Sequence, residues 1–269
     1  MKPQQRYKVA FISSRNIADQ NSLSGTAYYM SKAFKKHIGD VDFIEPLLPP
    51  KKSVFYLFTH FDILKVVIWQ MVIQLIYKLR GKRYQWERTI PVSLAYAKRL
   101  KRLLEGKDYD FILADKGSIV IAFSNTDIPI LYCCDTTFSL MVDYYPSHSN
   151  LCEGTKKQGH QLEKMAIDKA HAIIYRSLWA AKSAINDYGA DPQKLSVALF
   201  GPNLDEKYIP SQINHVKMPH QSPCNLLLVG RQWFRKGCDT AIRATGLLRD
   251  AGIDAKLTIC GAKNPDKNV

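Results

Sequence analysis

Short apolar runs recur along this chain, and most are followed by a polar turn and then by a stretch whose apolar positions repeat with helical spacing. Tyr7-Lys-Val-Ala-Phe-Ile12 reads as a first strand. A polar loop over residues 13–24 leads into Gly25-Thr26, and a helix is predicted over 27–37, with Tyr28, Phe34 and Ile38 on one face. A second strand is predicted at 41–44. Further strands are predicted at 109–114, 128–134, 171–175 and 195–200. Helices are predicted at 91–105, 118–123, 156–169 and 178–188, the last stopped by Gly189. Alternation of this kind predicts an α/β fold with a doubly wound, Rossmann-like sheet.

The alternation lapses between Asp205 and Pro223 into Pro, Ser, Gln and His, which predicts a linker. The expected organisation is a first domain over 1–205, a linker over 206–223 and the start of a second α/β domain over 224–269. That second part shows a strand at 225–230, a helix at 239–250 and a strand at 255–260.

Residues 54–80 stand apart. Val66-Val-Ile-Trp-Gln-Met-Val-Ile-Gln-Leu-Ile-Tyr77 is nearly all apolar, and Lys78, Arg80, Lys82, Arg83 and Arg88 follow it. The run is shorter than the ~20 residues a spanning helix needs. Two arrangements fit: an ordinary buried helix pair, or a helix lying in a membrane interface with its basic flank against anionic lipid.

Composition narrows the partners. The chain has 269 residues, 46% of them hydrophobic and 23% charged, with a formal net charge of +14. Such a chain can bury a core, and its charge favours an anionic partner: nucleic acid, lipid headgroups or phosphorylated substrates. Nucleic acid is not the expected one, because the cations are spread along the chain without a recognition helix, an aromatic RNA platform or a zinc motif. The six cysteines include no CxxC pair, and the seven histidines lack ligand spacing. Reduced thiols and no metal are therefore expected. No basic start with a long apolar core precedes the first strand, so a cytoplasmic protein is expected.

Candidate chemistry concentrates at Asn225-Leu-Leu-Leu-Val-Gly230-Arg231-Gln-Trp-Phe-Arg235-Lys236-Gly237, where strand, loop and helix succeed one another. A helix N-terminus beyond a strand's carboxyl end attracts an anion, and Arg231 and Lys236 add full charge there. A diphosphate is the ligand such a loop suits; a solvated basic turn has the same composition. Gly25 sits in a similar strand–loop–helix, although glycine serves any tight turn. Asp135 follows the strand at 128–134, as a polar contact or as a turn cap.

Several stretches, in this order, resemble the retaining glycosyltransferases of family four, or group 1, with the two-domain GT-B fold. They are Asn21-Ser-Leu-Ser24-Gly25-Thr26-Ala-Tyr-Tyr29, Asp135-Thr-Thr-Phe138 with Asp143-Tyr-Tyr-Pro146, Ser177-Leu-Trp-Ala-Ala-Lys-Ser-Ala-Ile-Asn-Asp-Tyr-Gly189 running on to Phe200-Gly-Pro-Asn-Leu-Asp205, and Val229-Gly-Arg231-x4-Lys236-Gly237. The resemblance implies transfer of a sugar from a nucleotide-diphosphate sugar to a glycan or lipid-linked acceptor, with retention and without a metal or other cofactor. It implies that Arg231 and Lys236 hold the donor diphosphate, that Gly25 lets its loop approach the phosphates, and that Thr26, Thr136, Tyr144 and Asn203 contact acceptor or cleft. Many members carry a His near the transferred sugar; here the matching stretch is Cys134-Asp135-Thr136, which makes Asp135 the catalytic candidate. The family's donor-sugar loop and paired glutamates are expected beyond Val269, so the chain by itself is expected to be inactive or very weak. The alternatives are a non-catalytic module binding a glycan or a partner, and a sugar-nucleotide epimerase of the same architecture.

Overall fold

A computed structural model describes residues 6–13, 16–20, 22–44, 61–208 and 223–263. The apolar residues 54–58 and linker residues 209–222 lie outside that set. The chain divides into two compact units, Met1–Glu206 and Lys207–Val269.

In the first unit the described elements follow as β1 (Tyr7–Ser13), α1 (Thr26–His37), β2 (Gly39–Phe43), α2 (Phe61–Leu79), α3 (Ile90–Leu104), β3 (Phe111–Asp115), α4 (Ser118–Ile121), β4 (Ile130–Cys134), α5 (Phe138–Met141), α6 (Glu153–Lys169), β5 (Ala172–Tyr175), α7 (Leu178–Tyr188) and β6 (Leu195–Val197). The strands form a six-stranded sheet in the order β2-β1-β3-β4-β5-β6. Every pairing is parallel. This is the Rossmann-like α/β architecture that the alternation of strands and helices predicts.

A parallel sheet is covered on both faces, so its strands carry apolar residues on both. In β1, Val9, Ala10, Phe11 and Ile12 are all fully buried. Because strand side chains alternate, they divide between two cores. Val9 and Phe11 pack with Val41, Leu113 and Cys133 under Ala27, Met30 and Phe34 of α1. Ala10 and Ile12 pack with Ile112, Ala114 and Tyr132 under α3, α4, α6 and α7. Two absent side chains make these contacts possible. A Cβ on Gly39 would stand 1.9 Å from the Tyr7 carbonyl oxygen, and one on Gly159 would stand 2.3 Å from the Phe138 ring. Phe138 can therefore sink fully against α6, and with it the chain that leaves β4.

The strand predicted at 195–200 ends at Val197, leaving Leu199 78% exposed beyond the sheet edge. Of the two arrangements that fit residues 54–80, a helix pair or an interfacial helix, the described part covers residues 61–80. There α2 forms a helix in which Ile68, Trp69, Met71, Val72, Leu75, Ile76 and Leu79 are exposed. No helix among the described residues is long and apolar enough to cross a membrane.

The second unit holds β7 (Cys224–Val229), α8 (Cys238–Asp250) and β8 (Ala255–Cys260), with β7 and β8 parallel. Leu226 and Leu228 are half-buried, whereas Leu227 and Val229 on the other face are 67% and 71% exposed.

Candidate functional site

The sheet of the first unit reverses its direction of growth at β1, since α1 leads to β2 on one side and the chain then returns to β3 on the other. In open α/β sheets the crevice at such a reversal, beyond the carboxyl ends of the strands, is where ligands bind. Two constellations stand at that edge.

The first is built on the loop after β1. Ser24 and Gly25 both have positive φ, 59° and 75°. A Cβ on Gly25 would press on the Gln20 carbonyl oxygen and the Tyr29 ring, so this turn requires glycine in both conformation and space. α1 begins there without a side-chain cap. The segment after β6 clamps the turn. Asn203 Nδ2 donates to the Ser24 carbonyl oxygen at 2.9 Å and to Thr26 Oγ1 at 3.3 Å, while Asp205 pairs with Lys32 at 2.9 Å. Gly25, Thr26 and Asn203, separate in the chain, thus meet.

The second lies at the ends of β3, β4 and β5. Lys116 Nζ pairs with Asp135 Oδ2 at 3.0 Å. Lys116 itself has φ 51°, and its N–H donates to the Cys133 carbonyl oxygen at 2.8 Å. Burial opposes charge on this lysine, but Asp135, by charge and hydrogen bond, and then Asp115 outweigh burial and raise its pKa. Arg176 at the end of β5 reaches Met30 Sδ on α1 at 3.1 Å and lies over the Phe200 ring at 5.2 Å. Asp115 is 2% exposed, and its Oδ2 has no hydrogen-bond partner among the described residues. Burial pushes its carboxyl up to about 6, against the pull of Lys116 and Arg176 and with Asp135 adding to the rise. The neighbouring thiols of Cys133 and Cys134 are pushed by burial up to about 12, so neither is a nucleophile at neutral pH.

Asp135 does not cap a helix. That role falls to Thr137, whose Oγ1 accepts from the Leu140 N–H and meets Ser183 Oγ at 2.6 Å. The Thr136 hydroxyl bonds to the Thr137 carbonyl oxygen at 3.3 Å. Tyr144, 69% exposed, packs against Tyr145 and Trp179 instead of joining the Asp135–Lys116 pair. Asp115, Lys116 and Arg176 were not among the sequence candidates. Their signal was present, since in Phe111-Ile-Leu-Ala-Asp115-Lys116 and Ala172-Ile-Ile-Tyr-Arg176 an apolar run closes on charge.

The Asp115 environment gives a pH prediction. Between about 3.8 and about 6 the unfolded chain binds fewer protons at this group than the folded one, so stability falls as pH rises through that window and stays low above it. Asp115→Asn is expected to raise stability at pH 8 by about 1–2 kcal/mol, less than the full linkage because Lys116 and Arg176 lose a counter-charge. It is also expected to flatten the stability profile between pH 4 and 6. Urea unfolding across that range checks both, and an unchanged slope in the variant would contradict the assignment.

In the second unit, Gly230 ends β7 and the 231–237 loop leads to α8. A Cβ on Gly230 would stand 2.7 Å from Lys236 Cγ, so the missing side chain leaves room for the lysine stem over the strand end. The loop is closed by backbone bonds, from the Lys236 N–H to the Gln232 carbonyl oxygen at 2.9 Å and from the Cys238 N–H to the Trp233 carbonyl oxygen at 3.1 Å. Gly237, φ 72°, starts α8 without a side-chain cap. Arg235 Nε donates to Gln232 Oε1, whereas Arg231 and Lys236 are exposed and have no ion-pair partner among the described residues. Two unpaired cations, an uncapped helix start and a strand end therefore stand together, an arrangement that suits a multiply charged anion. Among the described residues no group of three or more His, Cys, Asp or Glu side chains is arranged to hold a metal ion.

These features define a class: a Rossmann-like α/β protein with polar clusters at the carboxyl edge of a parallel sheet and a basic strand–loop–helix in a second unit. Compared with known proteins, the chain matches no protein-family model and no curated protein.

Proposed function

We propose that the chain is that of a retaining GT-B glycosyltransferase of family four, with its first unit on the acceptor side and its second on the donor side. Such an enzyme moves a sugar from a nucleotide-diphosphate sugar to a glycan or lipid-linked acceptor. The observation that carries this is the pair of cations Arg231 and Lys236, without an ion-pair partner among the described residues, beside the uncapped start of α8. As the glycosidic bond breaks, the departing nucleoside diphosphate gains negative charge. Fixed cations and backbone dipoles already aimed at it lower the barrier without reorganising. In the first unit, the Gly25 turn offers its backbone to a phosphate group, and Asp135 accepts a hydrogen bond from a sugar hydroxyl while Lys116 keeps its carboxylate oriented. Thr26, Thr136, Tyr144 and Asn203 serve the acceptor side. The reaction takes place on the cytoplasmic side, at the membrane face when the acceptor is lipid-linked.

The test is calorimetric titration of the whole chain with uridine, guanosine and adenosine diphosphates, each against its monophosphate. Saturable binding of one diphosphate, at least about tenfold tighter than its monophosphate, is the expected result, since the second phosphate adds a charge-assisted contact. Failure to bind any diphosphate, or tighter and steeply salt-dependent binding of duplex DNA, would overturn the proposal.

A further inference from the structure

Helix α2 is apolar nearly all the way round, so covering one stripe of it leaves a second apolar face in water. Successive residues step by about 100° around a helix, so Val66, Gln70, Ile73 and Tyr77 share one stripe, and this is the stripe that packs inward. Val66 meets the core, Gln70 is 3% exposed and accepts a hydrogen bond from the Tyr84 hydroxyl, and Tyr77 stacks on Tyr84 with ring centroids 5.4 Å apart. The opposite side carries Ile68, Trp69, Val72, Leu75, Ile76 and Leu79, which are 45–82% exposed. The outward face of a water-facing helix is ordinarily its polar one, and a contiguous exposed apolar patch marks an interaction surface.

Charge indicates what covers it. Residues 65–85 include Lys65, Lys78, Arg80, Lys82 and Arg83 and no Asp or Glu. At the C-terminal end of the helix an open groove of about 700 Å³ is lined by Met71, Leu75, Lys78, Lys82, Arg83 and Tyr84, with Glu87 as its acidic member. Apolar wall and cationic wall are thus continuous, which matches acyl chain beside anionic headgroup. A second copy of this chain is a poorer occupant, because a two-fold contact would set the same basic groups against themselves.

We propose that the outward face of α2, with the basic groove at its end, is a docking surface for an anionic lipid bilayer, on which the helix lies parallel to the membrane plane. Its apolar side chains enter the acyl boundary while Lys78, Arg80 and Lys82 meet headgroup phosphates. The proposal is independent of the sugar-transfer reading, and its test needs no activity.

The experiment is flotation of the whole purified chain with vesicles of phosphatidylcholine alone or mixed with phosphatidylglycerol. Binding to the anionic vesicles is expected, weakened by high salt. Leu75→Glu and Val72→Glu, both at exposed positions, are expected to keep the wild-type thermal midpoint and to lose flotation. Lys78→Gln and Lys82→Gln are each expected to weaken anionic binding about fivefold. Bound protein is expected to show a blue-shifted tryptophan emission that Trp69→Phe removes. No flotation with either vesicle overturns the proposal. So does flotation that survives Leu75→Glu, which means a charge-only contact. Self-association in sedimentation velocity that Leu75→Glu abolishes, with no vesicle binding, also overturns it and assigns the face to a second copy.

Discussion

Arg88→Met is expected to lower the stability of the first unit by about 3–5 kcal/mol at neutral pH, the range for removing one partner of a buried ion pair. Glu163 on α6 is 1% exposed and receives the Tyr132 hydroxyl at 3.0 Å. Arg88 Nη1 stands 3.9 Å from Glu163 Oε2 and is itself largely covered. Burial raises the Glu163 pKa, with Arg88 first among the groups that hold it down. Without the guanidinium the carboxylate keeps its desolvation cost and loses its counter-charge. The arginine also lies over the Phe138 ring at 5.0 Å, so its loss loosens the chain leaving β4. The sign of the pH dependence follows. With Glu163 raised further in the variant, the folded state binds more protons than the unfolded one over a wider range, and the deficit shrinks as pH falls. For a unit of this size the loss corresponds to a fall in thermal midpoint of roughly 10 °C. Glu163→Gln added to Arg88→Met is expected to recover much of it, because the uncompensated charge is gone. Urea unfolding of the two single variants and the double variant measures the coupling. A loss below about 1 kcal/mol for Arg88→Met would show that the pair contributes little.

Arg231→Gln and Lys236→Gln are each expected to weaken nucleoside diphosphate binding by tenfold to a hundredfold, since a hydrogen bond to a charged group contributes about 1.5–3 kcal/mol. Arg235→Gln is the control. Its guanidinium is bonded to Gln232 at the loop surface, so a small effect is expected. None of the three is expected to change the unfolding midpoint, because all are exposed. Diphosphate affinity at low and high salt, with circular dichroism on each variant, makes the comparison. Equal losses in all three variants would mean a diffuse basic surface in place of a site.

Much of the architecture could be read from local pattern. The alternation of apolar runs and helical stretches marked every strand of the six-stranded sheet. It placed α7 at its observed bounds, Leu178–Tyr188, where the Ser177 hydroxyl accepts from the Ala180 N–H and Gly189 closes the helix at φ 63°. It also placed β8 at Ala255–Cys260. These features depend on residues within a turn or two of each other, which is why periodicity and capping chemistry suffice. The Arg231–Lys236 loop was legible for the same reason, because its strand, glycine, cations and helix are contiguous.

What needed the tertiary structure is whatever joins distant positions or depends on what packs where. Asp135 was legible as a strand-end carboxylate, but nothing local pairs it with Lys116, which reaches it only because β3 and β4 are neighbours. Arg88 and Glu163 are both charged residues in otherwise ordinary stretches, and only the packing of α6 beside the 86–88 turn encloses them. The case of α2 is sharper. Its few polar residues do not mark the covered side, because Gln74 and Lys78 are exposed while Gln70 is buried on Tyr84, and Ile68, Trp69, Val72 and Leu75 stay in water. Sequence by itself determined where strands, helices and their charged ends fall, because those follow from short-range periodicity and caps. Which of the charged ends become partners, and which face of an apolar helix is covered, were decided by three-dimensional packing, since burial is a property of neighbours and not of the residue itself.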